Sequence, residues 1–94
     1  MRKAQTDSWL TLEELSRAVA VSPEWVSERV HAGLIEVHGE SPALWRFDAV
    51  LTRRVRSMRH VESCYGAVPE LAALVADLEE QIDWLRARLA RPGP

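Results

Sequence analysis

Cys64 is the only cysteine among the 94 residues, so no disulfide can form within the chain, and a reducing cytoplasm is the expected setting. The thiol is read as a small packed hydrophobe in preference to a reactive group. No apolar run approaches the ~20 residues of a membrane span, and Met1-Arg2-Lys3 leads into no apolar stretch of signal-peptide length. Basic charge is not in excess: 12 Lys and Arg stand against 14 Asp and Glu, a net charge of −2, so composition gives no sign of a nucleic-acid partner. Also missing are a glycine-rich phosphate loop, a Gly-x-Ser-x-Gly elbow and a His-Glu-x-x-His helix. His31, His38 and His60 are scattered, and one cysteine completes no familiar zinc spacing. The expectation is a protein that is not an enzyme and carries no cofactor or metal.

What is there suits one small domain whose modest core would gain from a second subunit. With 47% hydrophobic and 28% charged residues it reads as an ordinary soluble chain. Residues 1–8 are polar, lack a period and are expected to fray. Thr11 with Glu14 three residues on forms a capping box, and Leu10 with Leu15 a hydrophobic staple, so a helix starts at Thr11. Leu12, Leu15, Ala18 and Val19 give it one apolar face. Ala20-Val21 makes a turn, Ser22 caps a second helix with Pro23 at its first position, and Gly33 fits its end. Trp25, Val26 and Val30 supply the buried stripe, with Trp25 and Trp45 both expected in the core.

Leu34 to Val37 and Leu44 to Phe47 are β-prone runs around the turn chemistry of Gly39-Glu40-Ser41-Pro42, which predicts a small β-hairpin wing leaning on the helices. Asp48 caps a third helix expected to end near Glu62, with Leu51, Val55 and Met58 on one face. Arg53, Arg54, Arg56 and Arg59 occupy the rest of that helix, and such a run reads as a solvated face before it reads as a contact surface.

From Pro69 the apolar residues keep heptad time, with Val68, Val75, Ile82 and Leu89 at a and Leu71, Leu78 and Leu85 at d. β-Branched a with leucine d favours a parallel two-stranded pairing where the seam meets another helix. The first half of this stripe, widened by Leu74, suits packing within the chain's own core. The half from Leu78 to Leu89 suits self-association, giving a homodimer through Leu71, Val75, Leu78, Ile82, Leu85 and Leu89. Trp84 sits off the seam, and either covers the side of the head or anchors a partner.

The stretch from Leu10 to about Leu51 resembles the winged helix-turn-helix of MerR-type regulators. The matching residues are Leu12 and Glu14-Leu15, Val21-Ser22, Gly33-Leu34-Ile35, and Trp45-Arg46-Phe47-Asp48. DNA-reading members carry arginine and tyrosine on the second helix, where this chain has Glu24, Ser27 and Glu28. Carboxylates there oppose phosphate binding, and the predicted wing has no basic residue at its tip. Taken whole, Trp9 to Leu89 is similar to the CbpM chaperone-modulator family. The similarity rests on Arg53 to Arg59-His60, Tyr65-Gly66, Leu71-Ala72-Ala73-Leu74-Val75 and Leu85-Arg86-Ala87-Arg88-Leu89, in that order.

That resemblance implies a protein that binds the J-domain of a DnaJ-like, CbpA-type co-chaperone and inhibits it, without cofactor or catalysis. J-domains present a basic second helix, and Glu13, Glu14, Glu24, Ser27, Glu28 and Trp84 are the candidate partner-binding residues. The bland account of Glu13, Glu14 and Glu24 is that carboxylates near helix N-termini favour the helix dipole. The alternative function is a small MerR-like transcription regulator touching DNA phosphates through Arg29, Arg46, Arg53 and Arg54. The expected class is therefore mainly α: a MerR-like winged helix-turn-helix head with a small β-hairpin wing and a C-terminal heptad-containing helix. Its expected parts are a flexible N-terminus (1–8), the head with the third helix (9–62), a connector (63–68), a dimerisation or packing helix (69–90) and a tail (91–94).

Overall fold

The computed structural model describes residues 9–90, so the expected flexible N-terminus (1–8) and tail (91–94) lie outside the described residues. Among the described residues there are four α-helices, α1 (Leu12–Val19), α2 (Pro23–His31), α3 (Ala49–Tyr65) and α4 (Pro69–Ala90), with one 3-10 turn at Pro42–Leu44.

Local chemistry sets the helix boundaries. The Thr11 hydroxyl accepts from the Glu14 amide at 3.2 Å and the Glu14 carboxylate accepts from the Thr11 amide at 2.9 Å, which satisfies two amides that α1 leaves unpaired. α1 ends on Ala20 in the left-handed region, φ 65°. Ser22 caps α2 through its bond to the Trp25 amide, and Asp48 caps α3 through its bond to the Leu51 amide. α3 runs on past the expected stop at Glu62 to Tyr65, because Ser63 and Cys64 stay helical until Gly66, at φ 66°, donates its amide to Glu62 and reverses the chain.

The core is formed by Leu12, Leu15, Val19, Val26, Ile35, Trp45, Phe47, Val55, Met58 and Val61, joined by three alanines of α4. On α1 the buried face holds Ser16 and not the expected Ala18, which is exposed. Ser16 is tolerated there because its hydroxyl donates to the Leu12 carbonyl at 2.8 Å. Trp45 is buried as expected, while Trp25 is only half-buried.

The expected β-hairpin wing does not form: among the described residues no strand is present. Two isolated antiparallel bridges replace it, His38 with Arg46 and Leu10 with Phe47. Phe47 exchanges both backbone bonds with Leu10, at 2.9 and 2.8 Å, so the segment after the turn pairs with the chain before α1. Ser41 to Leu44 closes into the 3-10 turn, with the Leu44 amide donating to Ser41 at 2.8 Å. Those local bonds compete with a hairpin ladder, and Pro42 has no amide to give one. Gly39 at φ 117° lets the backbone pass against the Leu44 carbonyl, where any Cβ would collide.

α3 and α4 pack as an antiparallel helical hairpin through Val55, Met58 and Val61 on one side and Ala72, Ala73 and Ala76 on the other. At 1.5 Å per residue α4 is about 33 Å long. The end of α4 beyond Leu85 extends past the start of α3, since Val50 and Trp84 line the same groove. The radius of gyration is 14.5 Å, against about 12 Å for a compact chain of this size.

Candidate interaction surfaces

α2 carries two kinds of side chain. Arg29 turns inward: its Nε and Nη2 donate to the two Glu62 carboxylate oxygens at 3.0 and 2.6 Å, and Nη1 donates to the Trp25 carbonyl at 2.9 Å. Its guanidinium carbon lies 3.7 Å from the centre of the Trp25 ring, a cation–π contact. A buried arginine is tolerated only with its donors matched, and the planar fork on a carboxylate does that. This pair ties α2 to α3 and explains why Trp25 serves as a lid on Arg29 more than as core.

The solvent face of α2 is left to Glu24 and Glu28, both exposed. Glu28 comes within 3.6 Å of Arg29 Nη1 but keeps its side chain 77% exposed. Ser27 is half-buried, and its hydroxyl sits 3.3 Å from His31 Nδ1. On α1, Glu13 is free in solvent while Glu14 spends its carboxylate on the capping box. Glu13, Glu24 and Glu28 are therefore available to a partner, and Glu14 only at the expense of its cap.

The other arginines named for DNA contact differ in the same way. Arg46 bonds the carbonyls of Trp45 and Ala43. Arg54 bridges α3 and α4, with Nη1 donating to Asp77 at 2.8 Å and Glu80 at 3.1 Å and Nε donating to the Leu34 carbonyl at 2.9 Å. Burial alone would lower the pKa of Arg54, but its hydrogen bonds and charge contacts with Asp77 and Glu80 outweigh that and hold it above the ordinary arginine value. Arg53 stands exposed and bonds no other described residue.

α4 presents a long apolar surface. Its packed side is alanine, and Leu74, expected in the core, is exposed instead. Leu71, Leu74, Leu78, Ile82 and Leu85 each keep between 46% and 52% of their surface in solvent, and Leu89 85%. Val75, at the edge of the row, is half-buried. At 100° per residue this row lies about half a turn round the helix from Ala72, Ala73 and Ala76. Single exposed apolar residues are ordinary, but a continuous row of them marks a contact surface.

Trp84 is off that row, 57% exposed, with the Arg88 guanidinium 4.8 Å from its ring centre. It stands at the end of a groove of about 630 Å³ between α3 and α4, whose walls include Val50, Arg53, Arg56, His60 and Asp83. No local sequence pattern marks this groove, because it depends on which helix faces meet. Cys64, expected to pack, is exposed with its sulfur 3.5 Å from His60 Nδ1; it falls on the solvent side of the last turn of α3. Among the described residues no group of three or more His, Cys, Asp and Glu is placed to hold a metal ion, and no helix is long and apolar enough to cross a membrane.

These features define a small helical protein with an acidic second helix and an arm whose outer apolar face is uncovered. Comparison with known proteins makes the assignment narrower. The proteins named Chaperone modulatory protein CbpM from Coxiella burnetii strains Dugway 5J108-111, RSA 331 / Henzerling II and CbuG_Q212 are each 33% identical to this chain over 85 residues, covering 90% of it and 80% of theirs. The chain belongs to the CbpM family. No family model matches it, and no solved structure matches it.

Proposed function

We propose that this protein is a stoichiometric chaperone modulator that binds a DnaJ-like, CbpA-type co-chaperone through its J-domain and inhibits it by occlusion. The observation that carries the reading is the 33% identity to proteins named Chaperone modulatory protein CbpM over 90% of the chain. The surface of α2 supports it. Glu24 and Glu28 face solvent while the one arginine of that helix is drawn into the interior by Glu62, so α2 offers negative charge to a basic partner helix. Across such an interface, charge adds on-rate and specificity more than affinity. Apolar and aromatic anchors supply the affinity, and Trp84 is the exposed tryptophan of α4.

In this reading the head is a MerR-like helix-turn-helix kept as a scaffold, and the protein works in the cytoplasm as a homodimer. The second copy covers Leu71, Val75, Leu78, Ile82, Leu85 and Leu89. The arrangement of Arg29 gives the DNA-regulator alternative little to work with, since phosphate binding needs lysine and arginine presented outward.

The test is binding of the purified chain to the CbpA-type co-chaperone encoded in the same genome, followed by titration calorimetry with Glu24→Lys plus Glu28→Lys. The expected outcome is a complex with the wild type, weakened at least tenfold by the double substitution. An unchanged dissociation constant rejects the α2 patch, and absence of any wild-type complex rejects the function.

A further inference from the structure

The groove between α3 and α4 has two unlike walls. Of the four arginines of α3, Arg54 bonds Asp77, Glu80 and the Leu34 carbonyl, and Arg59 bonds the Ala20 carbonyl. Arg53 and Arg56 are exposed and bond no other described residue, and both line the groove together with His60. Their positions, three and four residues apart, set them in one row on the same helix face, rising about 10 Å from Arg53 to His60. At one end of the groove Val50 and Trp84, both exposed, offer an apolar seat. The opposite wall carries Glu79, held by the Ser57 hydroxyl, Glu80, held by Arg54, and Asp83, which bonds no other described residue.

Long arginine side chains can lie along apolar surface with their heads at the rim, so the groove has an apolar floor and a cationic edge. Tryptophan and arginine together are the residue types from which binding hot spots are most often built.

We propose that this groove is a second docking site for the modulator's protein partner. It takes an amphipathic helix that seats an aliphatic or aromatic side chain between Val50 and Trp84 and places carboxylates along Arg53, Arg56 and His60. The inference rests on the chaperone-modulator reading for the identity of the partner, and charge complementarity fixes what the groove accepts. A nucleic acid, anionic along its whole backbone, is the poorer occupant, because Asp83 and Glu79 line the wall opposite the arginines, whereas an amphipathic helix can turn its carboxylates to Arg53, Arg56 and His60 alone and keep them off that wall. The groove lies on the α3 side of α4 and the leucine row on the far side, so occupation of one leaves the other free. A dimer formed through the leucine row carries two open grooves.

The experiment is calorimetry of the full chain against the full-length CbpA-type co-chaperone, comparing wild type with Arg53→Glu plus Arg56→Glu and, separately, Trp84→Ala. Both arginines are exposed and bond nothing described, so the variant keeps its helicity by circular dichroism and its oligomeric state by sedimentation. The expected result is a dissociation constant raised at least tenfold by each variant, with the wild-type affinity falling as salt rises. Wild-type affinity in both variants overturns the groove and leaves the chaperone reading standing, whereas failure of the wild type to bind overturns both. Retention of a DNA duplex by the wild type that is lost in the arginine variant assigns the groove to nucleic acid. A wild-type oligomer that the arginine variant dissociates assigns it to a second copy. Either result overturns the proposal.

Discussion

The two apolar faces of α4 differ in residue size and in what covers them. Ala72, Ala73 and Ala76 are buried against α3, where small side chains let two helix backbones approach closely. Leu71, Leu74, Leu78, Ile82, Leu85 and Leu89, about half a turn away, stay in solvent. The bulkiest apolar residues of the helix are thus outside and the smallest inside, the reverse of a helix whose only task is to complete its own core. The two faces thus part company on one helix: the alanine face belongs to the fold, while the leucine face, which the fold leaves exposed, is the one proposed above to meet a second copy.

Substitutions on each face should therefore fail in different ways. Ala72→Glu places a carboxylate in the buried α3–α4 contact, away from the arginine-lined groove, and is expected to cost about 4 kcal/mol, within the range for an uncompensated buried charge. Urea unfolding monitored by circular dichroism checks it. A cost below about 1 kcal/mol would mean that this contact is loose and that the two faces are not distinct. Glu62→Ala strips the partner from Arg29 and is expected to cost about 3 kcal/mol, softened because Arg29 retains the Trp25 carbonyl and ring. It loosens α2 from α3 without touching the leucine face, so unfolding shifts while self-association persists. If Glu62→Ala also dissolves the dimer, the leucine face is not the assembly surface. The smallest expected effect on the fold is at Ile82→Asp, where the side chain is already 46% exposed and surface substitutions stay within about 0.5 kcal/mol.

The helices were largely legible in the sequence because their signals are local. Thr11 with Glu14, Ser22 with Pro23, and Asp48 each mark a start through side-chain bonds to amides three residues away, and each bond is present. The wing was misread because β-propensity speaks for an extended backbone and not for its partner. Phe47 is extended, but its partner is Leu10, thirty-odd positions earlier, while Pro42 and Gly39 draw the intervening segment into a tight turn.

The leucine stripe is visible as a period, yet the assignment of its first half to the core holds only at Val75, which packs against the core, and fails at Leu71 and Leu74. Leu74 is exposed, and alanines that carry little hydrophobic signal make the contact with α3. For the candidate surfaces, sequence alone could name Glu24 and Glu28 from charge. It could not foresee that Arg29 would be withdrawn by Glu62, 33 positions away, nor that Arg54 would be taken by Asp77 and Glu80 while Arg53 and Arg56 bond no other described residue. Those outcomes follow from which faces of α2, α3 and α4 meet, a property of tertiary packing that no local pattern records.

The most direct test of the two-faced helix is sedimentation equilibrium of the wild type beside Ile82→Asp, with circular dichroism on the same samples. The expected result is a concentration-dependent dimer for the wild type, and for Ile82→Asp a monomer of unchanged helicity and nearly unchanged unfolding midpoint at concentrations where the wild type is itself dissociated. A wild type that remains monomeric at every concentration, or an Ile82→Asp variant that stays dimeric, would contradict it.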